Sequence, residues 1–193
     1  MAPSAYISLV LDADTKATLQ TCIERIQASS PVPLDAMLRA DMHMTLVFLG
    51  ANLRGLPPAK RSELQAIITV FREDADAAAT SSALEFERLE LFPPTKRNLL
   101  VARYKIAGRN LEAVRKLQAE CFGLGMVSME EEEGRLKGEE FVAHVTLGKF
   151  RGMKAEQSTG VERAVRKVNE GLEENVLMEL GLPFREVCLC GRS

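Results

Sequence analysis

Apolar residues alternate with polar ones in several short segments of this chain and recur at helical spacing in longer ones. Alternation, or a short apolar run, is typical of a buried strand, whereas helical spacing produces one apolar face on a helix. The pattern predicts strands at 6–12, 43–50, 84–92, 98–106, 144–150 and 184–190. It predicts helices at 14–29, from the Pro57-Pro58 pair to 79, at 111–123 and at 160–175. Each half of the chain therefore has the order strand, helix, strand, helix, strand.

This repeated order predicts the fold class, although the two halves share little sequence. Alternating strands and helices with mixed pairing indicate an α+β fold of two small lobes. We expect an antiparallel-type sheet in each lobe, with the sheets facing a central cleft and the helices outside. The 193 residues are enough for a single bilobal domain, 1–193, with intertwined lobes.

One short motif occurs at the same step of both halves, as His43-Met44-Thr45-Leu46 and as His144-Val145-Thr146-Leu147. These are the only two histidines in the sequence. With nine threonines and twenty-five leucines in the chain, the chance that both histidines precede x-Thr-Leu is roughly a few in a hundred thousand. Alternate side chains of a strand share a face, so each motif aims an imidazole and a hydroxyl at one point.

The repetition favours a shared site, although a lone histidine on an apolar strand is usually a hydrogen-bonded core residue. Two histidines that converge on one ligand can act as a general acid and a general base. In-line attack at phosphorus needs this couple, and threonine hydroxyls can donate to the non-bridging oxygens. This chemistry requires no metal. The sequence has no nucleophile elbow and no Gly-rich phosphate loop, which disfavours other hydrolase mechanisms.

Composition limits the partners and the compartment. The formal net charge of −2 argues against binding to duplex DNA or to a membrane surface, but a small anionic ligand remains possible. No apolar run is long enough to span a bilayer, and we expect a cytoplasmic or nuclear protein. The four cysteines, at Cys22, Cys121, Cys188 and Cys190, fit buried reduced thiols better than disulfides or a metal site.

The paired His-x-Thr motifs, about a hundred residues apart in a duplicated strand and helix order, resemble those of the two-histidine (2H) phosphoesterase superfamily. The resemblance covers nearly the whole chain. Segment 89–92, a turn and segment 99–103 look like the central hairpin of that family. The acidic insert at 128–140 and the closing strand at 187–190 are most similar to the branch with the nuclear-localisation domain of A-kinase anchoring proteins.

The resemblance implies lobes related by a pseudo-twofold axis and metal-independent hydrolysis of nucleotide phosphoesters without a cofactor. It implies that His43, Thr45, His144 and Thr146 are the catalytic residues. The substrates of the family indicate a short RNA oligonucleotide or a nucleotide, either 2',5'-linked or a 2',3'-cyclic phosphate. We expect a monomer. The alternative is a regulatory module that binds AMP or a related nucleotide without turnover.

Four further residues are candidate substrate contacts. Lys149 occupies a position that is basic in some relatives, but strict alternation from His144 turns it away from the cleft and turns Phe150 in, unless a bulge swaps them. Phe92 could stack on a base or belong to the core, and Tyr6 could line the cleft or pack beside it. Local positive charge could come from Arg97, Arg103 and Lys105.

Overall fold

The computed structural model describes residues 5–49, 57–78, 83–106, 108–126, 141–172, 180, 182–183 and 187–191. The α-helices in these ranges are α1 (Ala13–Ser29), α2 (Pro58–Ala78), α3 (Gly108–Gly123) and α4 (Ala155–Glu170). The strands are β1 (Ala5–Val10), β2 (Leu34–Ala36), β3 (His43–Leu49), β4 (Ala83–Phe92), β5 (Leu99–Lys105), β6 (His144–Phe150), β7 (Leu182–Pro183) and β8 (Val187–Gly191). A short 3₁₀ turn, Arg39–Asp41, precedes β3.

The sheet is antiparallel at every strand pair that the structure describes. Its strand order is β7-β4-β5-β6-β3-β1-β8, and β2 pairs with β6 beside this path. The β4-β5-β6 and β3-β1-β8 halves meet where Met44 of β3 pairs with Val145 of β6. The predicted α+β class with antiparallel strands is therefore confirmed, and the two motif strands are neighbours.

The helices cover the sheet in pairs that mix the two halves of the chain. Helices α2 and α3 pack together, with α2 against β8 and α3 against β3. Helices α1 and α4 pack together, with α4 against β4. Each pair thus takes one helix from the first half and one from the second, which ties the two sheet halves together. None of the helices within the described ranges combines the length and apolar character needed to cross a bilayer.

The core lies between the sheet and these helices. In β1 the alternating residues Ile7 and Leu9 are fully buried, and in α1 the helically spaced Leu19, Ile23 and Ile26 are equally buried. Complete burial of such a side chain contributes about 1.5–3 kcal/mol each. The apolar residues whose spacing predicted these elements are therefore the ones that are buried in the core.

Helix α4 begins at Ala155, five residues before the predicted start at 160. Its first turn contains no large apolar residue, so periodicity alone gave no signal there. The turn is stabilised locally, since the backbone N–H of Lys154 donates to the side-chain oxygen of Gln157. Gly160 lies inside the helix, where a Cβ would come within 2.8 Å of Pro31, so the glycine marks a close contact and not a helix end.

Other differences are small or lie outside the described residues. The strands β2 and β7 are too short to produce an alternating pattern and were not predicted. The last strand begins at Val187 in the structure, while 184–186 of the predicted strand lie outside the described ranges. The acidic insert at 128–140 also lies outside them.

Gly148 lets β2 lie directly against β6. A Cβ at this position would come within 2.8 Å of the Asp35 carbonyl oxygen and 3.0 Å of the Ala36 Cα. We expect Gly148→Ala to lower the free energy of unfolding by about 1–3 kcal/mol, because backbone atoms of β2 must move away. Urea denaturation followed by circular dichroism measures this change.

Gly123 provides the matched control. A Cβ there meets no atom within 4 Å, and its φ lies outside the left-handed region. Gly123→Ala should leave the midpoint unchanged or raise stability by about 0.4–1 kcal/mol. Equal midpoints for the two variants would show that β2 does not need the glycine.

Candidate active site

The two His-x-Thr pairs lie on the same side of the sheet, opposite the core. Met44 and Val145, the residues between each histidine and threonine, are fully buried on the core side. All four motif side chains are half-buried, and β3 and β6 have the same residue-by-residue burial pattern. Since Met44 pairs with Val145 in antiparallel register, His43 lies alongside Thr146 and His144 alongside Thr45. We call this side of the sheet the site face.

Each imidazole is oriented by the backbone carbonyl of the residue two positions before it. Nδ1 of His43 lies 2.6 Å from the carbonyl oxygen of Asp41, and Nδ1 of His144 lies 2.8 Å from that of Val142. A carbonyl oxygen can only accept, so Nδ1 carries the hydrogen and donates it in both residues. In the neutral form Nε2 is then the unprotonated nitrogen, and in both residues it is the atom left for proton transfer.

An aromatic ring packs on each histidine. Tyr6 of β1 stacks on His43 with ring centroids 4.6 Å apart and an interplanar angle of 12°. Phe92, the last residue of β4, lies 5.0 Å from His144 at 31°. Both rings therefore lie at the motifs, where the sequence placed them as candidates. Each imidazole thus contacts both a backbone carbonyl and an aromatic ring.

Both motif strands contain a β-bulge just after the threonine. In the pairing of β1 with β3, Ser8 is opposite Thr45 and Ile7 opposite Val47, so Leu46 is the extra residue. In the pairing of β5 with β6, Val101 is opposite Thr146 and Leu100 opposite Gly148, so Leu147 is the extra residue. A bulge leaves groups unpaired in the ladder.

The carbonyls of the two extra residues find other partners. The Leu46 oxygen accepts a hydrogen bond from Nε2 of Gln118 on α3, at 3.0 Å. The Leu147 oxygen accepts one from the backbone N–H of Met37, at 2.8 Å. Both carbonyls thereby have a partner from outside the strand pair that contains the bulge.

The bulges change which side chains share the site face. Beyond each extra residue the alternation reverses, so Lys149 is exposed on the site face and Phe150 is 1% exposed in the core. The placement of Phe150 toward the cleft was therefore wrong, because strict alternation does not hold through residue 147. Phe48, at the corresponding place in β3, is 45% exposed; sequence reasoning missed it for the same reason.

The basic residues differ in whether their charge is already paired. Arg103 lies opposite His144 and binds Glu87 and Glu90, both at 3.1 Å. The hydrogen bond that Arg103 donates to Glu90, with the carboxylate charges of Glu90 and Glu87, raises the pKa of Arg103. Arg97 pairs with Glu162 at 2.7 Å, and Lys105 pairs loosely with Glu85 at 3.7 Å. The three residues proposed to supply local positive charge are thus each paired with a carboxylate.

Lys149 is different. The residue opposite it on β2 is Asp35, but that carboxylate is bound by Arg151 at 2.5 Å. No ion pair to Lys149 is found among the described residues. The site face therefore has an unpaired ammonium on the strand that carries His144 and Thr146. Within the same part of the chain, no cluster of three His, Cys, Asp or Glu side chains could hold a metal ion.

The sequence matches no known family profile and no curated protein. Solved structures do resemble the fold. A conserved protein of unknown function, ATU0111 from Agrobacterium tumefaciens, superposes with a TM-score of 0.54 at 15% identity, covering 99% of this chain and 80% of that one. TT0787 of Thermus thermophilus superposes with a TM-score of 0.52 at 18% identity, covering 78% of this chain and 76% of that one.

A third structure, LigT of E. coli complexed with ATP, has a TM-score of 0.48 at 12% identity over 77% of this chain and 72% of that one. The first two superpositions extend through both halves of the sheet, because they cover more than three quarters of each chain. This chain therefore shares the fold of these two proteins, and its helices and antiparallel sheet are consistent with the two-histidine phosphoesterase fold.

Proposed function

We propose that this protein is a metal-independent phosphodiesterase of RNA ends or nucleotides, with His43 and His144 as its general acid and base. The observation that carries the proposal is the antiparallel pairing of β3 with β6 at Met44 and Val145. That pairing gives neighbouring positions on one side of the sheet to two imidazoles and two hydroxyls, which supports a shared phosphate site. A structural role for the histidines would not require both motifs to meet.

The two histidines divide the proton transfers. Because each Nδ1 donates to a backbone carbonyl, each ring exchanges protons with the substrate at Nε2. The neutral imidazole takes the proton of the attacking water or hydroxyl, and the protonated one gives its proton to the leaving oxygen. The hydroxyls of Thr45 and Thr146 donate to the non-bridging oxygens as negative charge develops on them. The orientation of the substrate decides which histidine acts as the base.

The charges on the site face favour a substrate with few phosphates. Lys149 offers one unpaired ammonium, which forms a charge-assisted hydrogen bond with a phosphate oxygen. The basic residues of β5, Arg103 and Lys105, already bind carboxylates, and the chain has a formal net charge of −2. A long nucleic acid needs many cationic contacts, so we propose short 2',5'-linked oligonucleotides or 2',3'-cyclic phosphates. Tyr6 and Phe92 border the motifs and are proposed contacts for the base or ribose.

A substrate panel tests the proposal. The purified protein is incubated in EDTA with 2',5'-oligoadenylate, 3',5'-oligoadenylate, 2',3'-cyclic nucleotides and ADP-ribose cyclic phosphate, and the products are identified by chromatography. Cleavage of one class identifies both the substrate and the end chemistry. Binding of AMP with no turnover of any substrate would contradict the proposal and support the nucleotide-binding alternative.

Replacement of either histidine should abolish most turnover. We expect His43→Ala and His144→Ala each to lower kcat by about 100- to 10,000-fold, since each removes one proton-transfer group. The dissociation constant for a non-hydrolysable analogue should change far less. The wild-type pH profile should be bell-shaped, and each variant should lose one limb of it. Retained turnover in the double variant, with an unchanged urea midpoint, would rule out the mechanism.

Removal of the unpaired ammonium should affect binding more than chemistry. We expect Lys149→Ala to raise KM by about 10- to 100-fold, because one charge-assisted hydrogen bond to the substrate is lost. The change in kcat should be smaller. Lys149→Arg should retain most of the affinity because it keeps the charge. Steady-state kinetics on the substrate found above measure both effects.

Lys167, exposed in the last turn of α4, is the matched control. Lys167→Ala makes the same change in net charge away from the site face and should leave KM unaltered. If both alanine variants raise KM equally, the effect belongs to the overall charge of the protein and not to Lys149.

A further inference from the structure

Two cysteines lie together on the site face, outside the proposed catalytic residues. Cys188 and Cys190 of β8 are two residues apart, so both side chains lie on one side of the strand. They pair with Ser8 and Tyr6 of β1, and Ser8 pairs in turn with Thr45. Both thiols are half-buried. The expectation of buried reduced thiols therefore holds only in part for this pair, which is free but half-buried.

The two thiols contact each other and a buried hydroxyl. The Sγ atoms of Cys188 and Cys190 are 2.7 Å apart. The Oγ atom of Ser8 lies 3.3 Å from Cys188 Sγ and 3.5 Å from Cys190 Sγ. Ser8 is only 1% exposed, so among the described residues its hydroxyl is committed to these sulfurs. Such a hydroxyl can donate a hydrogen bond to a thiolate and stabilise it.

The other two cysteines show what an inert thiol looks like in this protein. Cys22 and Cys121 are 2% and 0% exposed in the core. Burial raises the pKa of both, that of Cys121 to about 12. Burial also raises the pKa of Cys190, where the hydrogen bond from Ser8 acts in the opposite direction. Cys22 and Cys121 have no sulfur neighbour among the described residues and are buried and reduced, as expected from the sequence. The cysteines of β8 therefore differ from this pair in two ways: their thiols are partly exposed, and their sulfur atoms contact each other.

We propose that Cys188 and Cys190 form a dithiol modification site, which a hydroperoxide oxidises reversibly to a disulfide within β8. One thiolate attacks the O–O bond of hydrogen peroxide, giving a sulfenic acid and, with a proton, one water molecule. The second thiol attacks that sulfur, the S–S bond forms, and the sulfenic oxygen leaves as a second water. Two thiols and one peroxide thus become one disulfide and two waters.

The position of β8 makes this change possible and easy to reverse. Residues two apart in an extended strand have Cα atoms about 6.6–6.8 Å apart, at the upper limit for a disulfide. The strand must therefore pucker, and a strained disulfide is more readily reduced. β8 lies at the end of the strand order and pairs with β1 alone among the described strands. It can pucker without disturbing a second strand, although α2 also packs against it and Arg72 of α2 donates to the Val187 carbonyl.

The disulfide would act on the site through β1. Cys190 is opposite Tyr6, whose ring stacks on His43, and Cys188 is opposite Ser8, the neighbour of Thr45. Puckering of β8 displaces these two side chains and with them the orientation of His43. This effect on activity rests on the proposed function, whereas formation of the disulfide does not.

Intact-mass measurement tests the dithiol itself. The variant Cys22→Ala/Cys121→Ala, which keeps only the β8 pair, is treated with increasing hydrogen peroxide, and peptide mapping locates the change. We expect the loss of two hydrogen atoms from the peptide that contains Cys188 and Cys190, restored by dithiothreitol. Cys188→Ser and Cys190→Ser in the same background should instead gain oxygen at the remaining thiol. Oxygen addition in the parent without an S–S bond, or no reaction, would overturn the proposal.

Activity is measured on the same samples. We expect oxidised parent protein to lose at least half of its turnover and to recover it on reduction, while the two serine variants keep their rates at peroxide levels that close the disulfide. A disulfide that leaves the rate unchanged would overturn the link to His43. If the reduced protein has no activity on any substrate, the proposed function fails and the mass result still decides the dithiol.

Discussion

The pairing of β3 with β6 at Met44 and Val145 is the contact on which the rest of the arrangement depends. Both residues are fully buried, so each strand is fixed by its core side. Because side chains alternate along a strand, the histidine and threonine that flank each buried residue must lie on the opposite face. The hydrophobic effect thus positions the polar groups, although none of them contributes to the core.

The bulges at Leu46 and Leu147 are the second constraint. They occur at the same step of both strands, and their carbonyls are satisfied by groups outside the sheet ladder, Gln118 in one case and the backbone of Met37 in the other. Helix α3 and the segment after β2 therefore support the two bulges next to the motif threonines. A bulge whose carbonyl lacked such a partner would cost about 1–3 kcal/mol.

The sequence predicts the elements that carry the candidate site well where the physics is local. The two motif strands and the apolar faces of the helices follow from short-range periodicity, and the structure has them at these positions. Periodicity alone could not decide whether Lys149 or Phe150 lies on the site face, since a bulge depends on partners from β5 and β2 that are distant in the chain. Two other contacts are likewise tertiary. One is between Gly160 and Pro31, and the other joins the sulfur atoms of Cys188 and Cys190 to the hydroxyl of Ser8. Periodicity carries no information about them.

The equivalence of the two strands ends at one position. Phe48 and Lys149 occupy the same place after the same bulge, with an exposed aromatic ring in one strand and an unpaired cation in the other. A frame built by repetition is symmetric and would hold a ligand equally well in either of two orientations. The different side chains at positions 48 and 149 make the two orientations unequal in free energy, because the anionic end of a ligand is stabilised only beside Lys149. The two halves thereby favour one orientation of the ligand, which a duplicated backbone alone would not do.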